Sequence, residues 1–359
     1  MNKKVLLNDL NLWQENGKSY LSSDLPRYSG GIGNQKTDIL SQVSYDFEVV
    51  EVEKWGIYRF GSNFYGQNIY ENKITCINSS GVTTWEGQLQ SVKRNYTDNT
   101  AVLTAQAVFN LLLAKTIEYN NIGVTPARVV IDLLERNGLF SYAGDSLVYA
   151  DNLLKANGIT FNYRFEAKNK TTHSDAINKL SKVACADIFI DTNNKLQMIV
   201  WDKSQTSYIP VVILKKRDLL SPLIIVDTIK DIINNYKIKI GAIDLTDSVL
   251  GNVGAASRKQ YNDLSFEYID LSPTQEISTN SQAVAQLIGE SYISRWGQPA
   301  IYIDTEIDNT NFSGILQLGQ FVAFDSTVNY ENLVGMVFQI IKLVENNDRY
   351  WGITLKRVS

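Results

Sequence analysis

Val43-Ser44-Tyr45-Asp46-Phe47-Glu48-Val49 alternates apolar and polar side chains, the period of two expected for a strand with one buried face. Short runs of the same kind follow at Trp55–Phe60, Ile74–Ile77, Trp85–Val92 and Ala101–Val108. Turn-forming stretches separate them: Gly61-Ser62-Asn63, Asn78-Ser79-Ser80-Gly81 and Thr97-Asp98-Asn99-Thr100. Residues 1–115 are therefore predicted to form a compact antiparallel unit, a small barrel or sandwich.

The period lengthens after residue 116. Thr125 can cap a helix, and Pro126 at its first position loses no bond, because that N–H would have no partner anyway. Ala127, Val130, Ile131 and Leu134 share one face, and Gly138 supplies a left-handed stop. A second helix is predicted from Ser146 to Ala156, ending at Asn157-Gly158. A third opens at Thr172 or Ser174, with Ala176, Ile177, Leu180 and Ala184 on one face. Asp187–Ile190 and Leu196–Trp201 flank the turn Asp191-Thr192-Asn193-Asn194 and read as a hairpin. Residues 116–215 thus form an α+β middle unit.

Strand patterns return over 216–359, at Ile224–Val226, Asn235–Ile240, Leu264–Ile269, Ile301–Ile307, Phe321–Phe324, Met336–Val344 and Tyr350–Leu355. One amphipathic helix interrupts them, over 281–296, with Val284, Leu287, Ile288 and Tyr292 on its apolar face. The fold class read from these patterns is α+β and β-rich: a β unit, an α+β unit, then a second β unit.

Composition supports that balance. Among 359 residues there are 19 Tyr, 13 Phe and 6 Trp against 6 Pro, and aromatic residues suit pleated, half-buried surfaces. Hydrophobic residues make up 44% and charged residues 20%, as in globular proteins. No apolar run is long enough to span a membrane, and the apolar run near the N-terminus stops at Asn8-Asp9, too short for a secretory signal. No membrane anchor is expected, and the chain is expected to be made in the cytoplasm. Cys76 and Cys185 read as buried free thiols rather than a disulfide framework. With 34 basic and 38 acidic residues spread without long runs, the net charge is -4 and no basic patch for duplex DNA is visible.

Candidate chemistry is sparse. His173 is the one histidine, which excludes every mechanism needing two, and its place beside a helix cap predicts a solvated first-turn residue. Gly17-Lys18-Ser19 imitates the end of a phosphate loop, but Leu12 stands where the first glycine belongs. Gly30-Gly31-x-Gly33 precedes a polar run rather than a helix, so it is expected to be a mobile loop, not a dinucleotide site. Asp191-x-Asn193-x-Lys195 fails as a calcium loop, because Lys195 and Leu196 occupy positions needing an oxygen ligand and a glycine. No catalytic, cofactor or metal site is expected, and the chain is not expected to be an enzyme.

Two stretches carry a resemblance. Thr84-Trp85-Glu86-Gly87-Gln88-Leu89-Gln90-Ser91-Val92, followed by a turn and Thr100-Ala101-Val102-Leu103-Thr104-Ala105-Gln106, resembles the paired strands of tube-like barrels in phage tail proteins. Gly123-Val124-Thr125-Pro126-Ala127-Arg128-Val129-Val130-Ile131-Asp132-Leu133-Leu134 resembles the helix after the first barrel in the baseplate hub family of contractile-tailed phages and related injection systems. The final strands, Leu318–Phe324 and Val337–Val344, are similar to the closing strands of that family's second barrel.

The resemblance implies two tail-tube-like antiparallel β-barrels, over 1–115 and 216–359, with an α+β domain between them. It implies a homotrimer joining a sixfold tail tube to a threefold tip and lining the DNA channel during genome ejection. The partners it implies are the tail tube protein and other tail-tip or baseplate proteins: a distal tail ring, a spike or fibres. DNA would pass transiently without specific binding, and the chain would reside in the virion, at the tail tip. Tyr65, Tyr70, Trp85, Tyr119 and Tyr142 could anchor interfaces or fill barrel cores. Two other readings stay open: a host-receptor or carbohydrate-binding tip protein, and a tail-associated peptidoglycan hydrolase, though no lytic signature is present.

Overall fold

The computed structural model describes residues 115–191, 195–201, 208–246, 252–261, 266–308, 316–328, 330–345 and 350–358, together with Phe109, Phe312, Thr97 and the strand segments before residue 108. The chain is α+β and strand-rich.

Its first strands are β1 (Lys4–Leu7), β2 (Leu10–Asn11), β3 (Ser29–Gly31), β4 (Tyr45–Val50), β5 (Lys73–Ile77), β6 (Thr83–Asn95) and β7 (Thr100–Ala107). All but β3 form one antiparallel sheet in the order β2-β1-β5-β6-β7-β4. The alternating stretch read from Val43 begins at Tyr45, while the strand expected at Trp55–Phe60 lies outside the described residues. β6 carries a register shift against each neighbour, at Cys76/Ile77 and at Leu89/Ser91, and such bulges tighten strand twist.

β3 departs from expectation. Instead of a loop, Ser29, Gly30 and Gly31 pair with Val344, Leu343 and Lys342 of a strand in the last third of the chain. Gly33 lies outside the described residues. A Ser-Gly-Gly strand has almost no side chains to bury, so hydrophobic periodicity could not announce it.

The middle region contains β8 (Tyr119–Val124), α1 (Pro126–Arg136), α2 (Asp145–Ala156), β9 (Phe161–Phe165), α3 (His173–Ala184), β10 (Ala186–Ile190) and β11 (Leu196–Val200). Helix α1 starts as its sequence dictates: Thr125 is extended, and its hydroxyl accepts from Arg128 N at 3.0 Å. Gly138, at φ +70°, ends the turn beyond it. Thr172 and Asp175 form a reciprocal capping box at α3. Strand β9 went unread in sequence although its pattern is clean: Phe161, Tyr163 and Phe165 point inward and Asn162 and Arg164 outward. β10 and β11 form the expected hairpin.

The last third comprises β12 (Val212–Leu214), β13 (Ile224–Thr228), β14 (Asn235–Ile240), β15 (Ile243–Thr246), α4 (Ala255–Tyr261), β16 (Phe266–Asp270), β17 (Ile277–Ser278), α5 (Gln282–Trp296), β18 (Ala300–Asp308), β19 (Phe321–Phe324), β20 (Val337–Glu345) and β21 (Tyr350–Arg357). One sheet runs β12-β19-β20-β21-β18-β13, with β3 beside the second half of β20. Pairing within it is antiparallel except between β12 and β19. A smaller sheet, β15-β14-β16, contains a second parallel pair, β14 with β16.

Two hydrophobic cores result. One gathers α1–α3 and β8–β11 together with Tyr236, Ile238, Ile269 and the buried side of α5. The other lies under the large C-terminal sheet, with Ile303, Ile307, Val322, Phe338, Ile340, Leu343 and Leu355 at its centre. Packing thus crosses residue 215: the small sheet and α5 share the core of the middle helices. Helix α5 is buried beyond a single stripe, since Gly289, Glu290 and Ser291 are covered as well as Val284, Ile288 and Tyr292, while Leu287 is half-buried. Gly289 explains the closeness of that packing, because a Cβ there would stand 2.1 Å from the Tyr236 ring.

Candidate functional site

His173 is buried rather than solvated, at 4% exposure. Its Nδ1 lies 2.7 Å from the Lys115 carbonyl, and its Nε2 lies 3.2 Å from the Asn137 side-chain amide. A carbonyl can only accept, so Nδ1 carries the proton and Nε2 accepts from Asn137. Burial lowers its pKa and favours this neutral tautomer. Both ring nitrogens are occupied, so the histidine ties the start of α3 to the preceding strand and helix and has no nitrogen left to activate a nucleophile.

Other candidates resolve in the same way. Asp191 closes the β10–β11 hairpin: its Oδ1 accepts from Lys195 N at 2.9 Å and its Oδ2 from Gln197 Nε2 at 2.6 Å. Cys185 is a buried free thiol whose pKa burial pushes well up, so it is unreactive; the Cys76 side chain lies outside the described residues. Tyr119 is a core residue, not a surface anchor. It is 1% exposed, donates to Asp132 Oδ2 at 2.7 Å, and burial pushes its hydroxyl to about 12. Tyr142 is half-buried against Phe109 and donates to Glu86. Tyr65, Tyr70 and the Trp85 side chain lie outside the described residues. Among the described residues no group of three or more His, Cys, Asp or Glu side chains could hold a metal, and no helix is long and apolar enough to cross a membrane.

Two other features stand out. The first is the pair of edges of the C-terminal sheet. In a strand, successive side chains point to opposite faces, so a strand with one covered face buries every second residue. β13 does not: Ile224, Ile225 and Val226 are 63%, 41% and 46% exposed, so neither face is covered. Its outer backbone edge pairs with no strand among the described residues. The opposite edge, β12, buries Val212 and Leu214 but exposes Ile213, and Ile209 and Val211 just before the strand are exposed as well. Long apolar edges of this kind are templates for further pairing.

The second feature is a cavity of about 180 Å³ where the end of α5 meets β21. Two cationic side chains are sunk in its wall. Arg295, with 5% of its side chain exposed, stacks on the Trp201 ring at 3.7 Å and donates to Gln339 Oε1 at 3.0 Å. Lys356, 4% exposed, places Nζ 3.5 Å above the centre of the Trp296 ring and has no hydrogen-bond acceptor. Desolvation, aided by the Arg295 charge, lowers the Lys356 pKa to about 7. Sequence reasoning missed this site. Arg295 and Lys356 are far apart in the chain and look like ordinary surface cations, and only the chain path brings them together.

No protein-family model matches the chain, and neither does any curated protein. Solved structures do. The tail protein from Neisseria meningitidis MC58 superposes with a TM-score of 0.55 at 11% identity, over 99% of this chain and 96% of that one. The 43 kDa tail protein of prophage MuSo2 from Shewanella oneidensis gives 0.52 at 11% identity, over 99% and 97%. This chain therefore shares the fold of these two tail proteins at low sequence identity.

Proposed function

We propose that this chain is a structural subunit of a phage-type tail, positioned at the tail tip or baseplate as a hub. The observation that carries this reading is the fold shared with two tail proteins along nearly the whole chain. Fold alone is a weak guide to function, and the exposed sheet edges supply a physical complement. A subunit whose β12 and β13 edges are apolar and unpaired among the described residues is suited to a ring in which each copy covers the next.

In this reading residues 1–115 and 216–359 are the two tube-like barrels and 116–215 the α+β unit between them. Each barrel's open sheet closes through contacts made in the assembly. Three copies present six barrels around a channel, which matches a sixfold tube to a threefold tip. The tail tube protein lies on one side; a distal tail ring and a spike or fibre proteins lie on the other. DNA passes through without specific binding, consistent with a net charge of -4. In this reading the role is structural rather than enzymatic, and His173 serves packing.

The test is electron microscopy of the purified chain, alone and with the tube protein of the same particle. Threefold rings with a central opening that cap tube ends are expected. Compact monomers that ignore the tube would overturn the hub reading.

A further inference from the structure

The cavity beside α5 is lined by residues whose buried donors are left without a hydrogen-bond partner. Lys356 Nζ, Arg295 Nε and Trp296 Nε1 belong to residues that line it, and none has a hydrogen-bond partner. Two carboxylates lie nearby, Asp187 and the cavity-lining Asp231, and each already accepts one hydrogen bond. Asp187 Oδ2 accepts from Trp201 Nε1 at 2.8 Å and stands 3.9 Å from Arg295, beyond hydrogen-bond reach. Asp231 Oδ2 accepts from Tyr302 OH at 2.6 Å. Buried donors are normally satisfied, and a buried ammonium without an acceptor is among the most unfavourable groups a fold can carry.

A single water has two lone pairs and no charge. An oxyanion offers several lone pairs and the charge that buried cations favour. We propose that this cavity is a binding site for a small oxyanion of the phosphate or carboxylate class, held by Lys356 Nζ, Arg295 Nε and Trp296 Nε1. The anion enters past Ser294 and Gln298, which line the cavity and are exposed. The site joins the helix of the first core to the last strand of the second, so its occupant fastens the two together.

Binding follows the protonation of Lys356. The groups facing it are Arg295 and Trp296 from α5, Asp187 from β10, Asp231 from the segment before β14 and Tyr302 from β18. The anion requires the ammonium form, which burial alone disfavours above neutrality, so affinity falls as pH rises through and beyond about 7.

The experiment is titration of the full chain with sodium phosphate, sodium acetate and sodium chloride at matched ionic strength, read by tryptophan fluorescence and melting temperature. Phosphate or acetate is expected to give a saturable response that chloride does not. Which of the two does so identifies the anion class. Affinity should fall about tenfold or more between pH 6 and pH 9, and a similar loss is expected in Lys356→Met. Lys168→Met, which removes a surface cation 74% exposed, should change nothing. If Lys356→Met does not fold, Ser294→Glu places a competing carboxylate at the mouth and should weaken binding comparably. Failure of both anions to exceed chloride, or unchanged affinity in the variant measured, would overturn the site.

Discussion

Strands β13 and β18 are hydrogen-bonded neighbours of similar apolar content, yet they live in different surroundings. In β18, Ile303 and Ile307 are fully buried beneath the C-terminal sheet. In β13, Ile224, Ile225 and Val226 all face outward, and Ile224 and Val226 pair across the ladder with Asp304 and Tyr302 of that same β18. Composition is thus not what separates core from surface here. What differs is whether a layer of protein stands above the strand, and for β13 no such layer is found among the described residues. Exposed apolar strands of this kind are the surface on which the proposed ring contact rests.

Five substitutions break or sharpen this contrast. Ile303→Ala should destabilise the chain by about 2–5 kcal/mol, because a fully buried isoleucine leaves a cavity, while Ile225→Ala should change stability by less than about 0.5 kcal/mol. Chemical denaturation of both variants checks the pair, and similar losses would erase the distinction between the strands. Lys356→Met, within the same sheet, should instead stabilise the chain by about 1–4 kcal/mol in the absence of added anion.

The sign of that gain depends on pH. The folded pKa of Lys356, about 7, lies below the unfolded value, so the unfolded chain binds more protons between the two and the wild type gains stability as pH rises through that window. The advantage of the methionine variant is therefore largest below pH 7 and vanishes near the unfolded lysine pKa of about 10.4. Urea titrations at pH 6 and pH 10 measure it.

Thr125→Ala removes the acceptor for Arg128 N and should lose about 1 kcal/mol, a reference value for the middle region, where local rules hold. The smallest folding effect belongs to Ile225→Lys, expected within about 0.5 kcal/mol of wild type. Its consequence lies elsewhere, since a charge on an edge strand blocks edge pairing. Loss of rings in electron micrographs with an unchanged melting temperature is the expected pair of results, and intact rings would exclude this face from the interface.

Much of the fold was legible where local chemistry decides. Thr125-Pro126, Asn137-Gly138 and Thr172 marked helix ends correctly, because caps are satisfied within a few residues of themselves. Asn235–Ile240 and Phe321–Phe324 were read to the residue. Strand β9 carried a readable alternation that was passed over, since its flanking helices drew the whole segment toward the helical period. The parallel pairs β12–β19 and β14–β16 were beyond reach, because their partners are distant in the chain and no turn links them. His173 was placed in water for want of knowledge that the Lys115 carbonyl and the Asn137 side chain stand over it. The cationic cavity was invisible for a similar reason, as burial of Lys356 depends on the ring of Trp296 and on strands from three parts of the chain.

The pairing of β3 with β20 has a consequence in time. Gly31 meets Lys342, so a segment made early waits for one made much later in the chain. Contacts of such separation form slowly, whereas α1, α2 and α3 close over short stretches. The middle of the molecule therefore takes shape while the polypeptide is still being made. The C-terminal sheet, which needs β3 and β20 together, is completed later than the middle region.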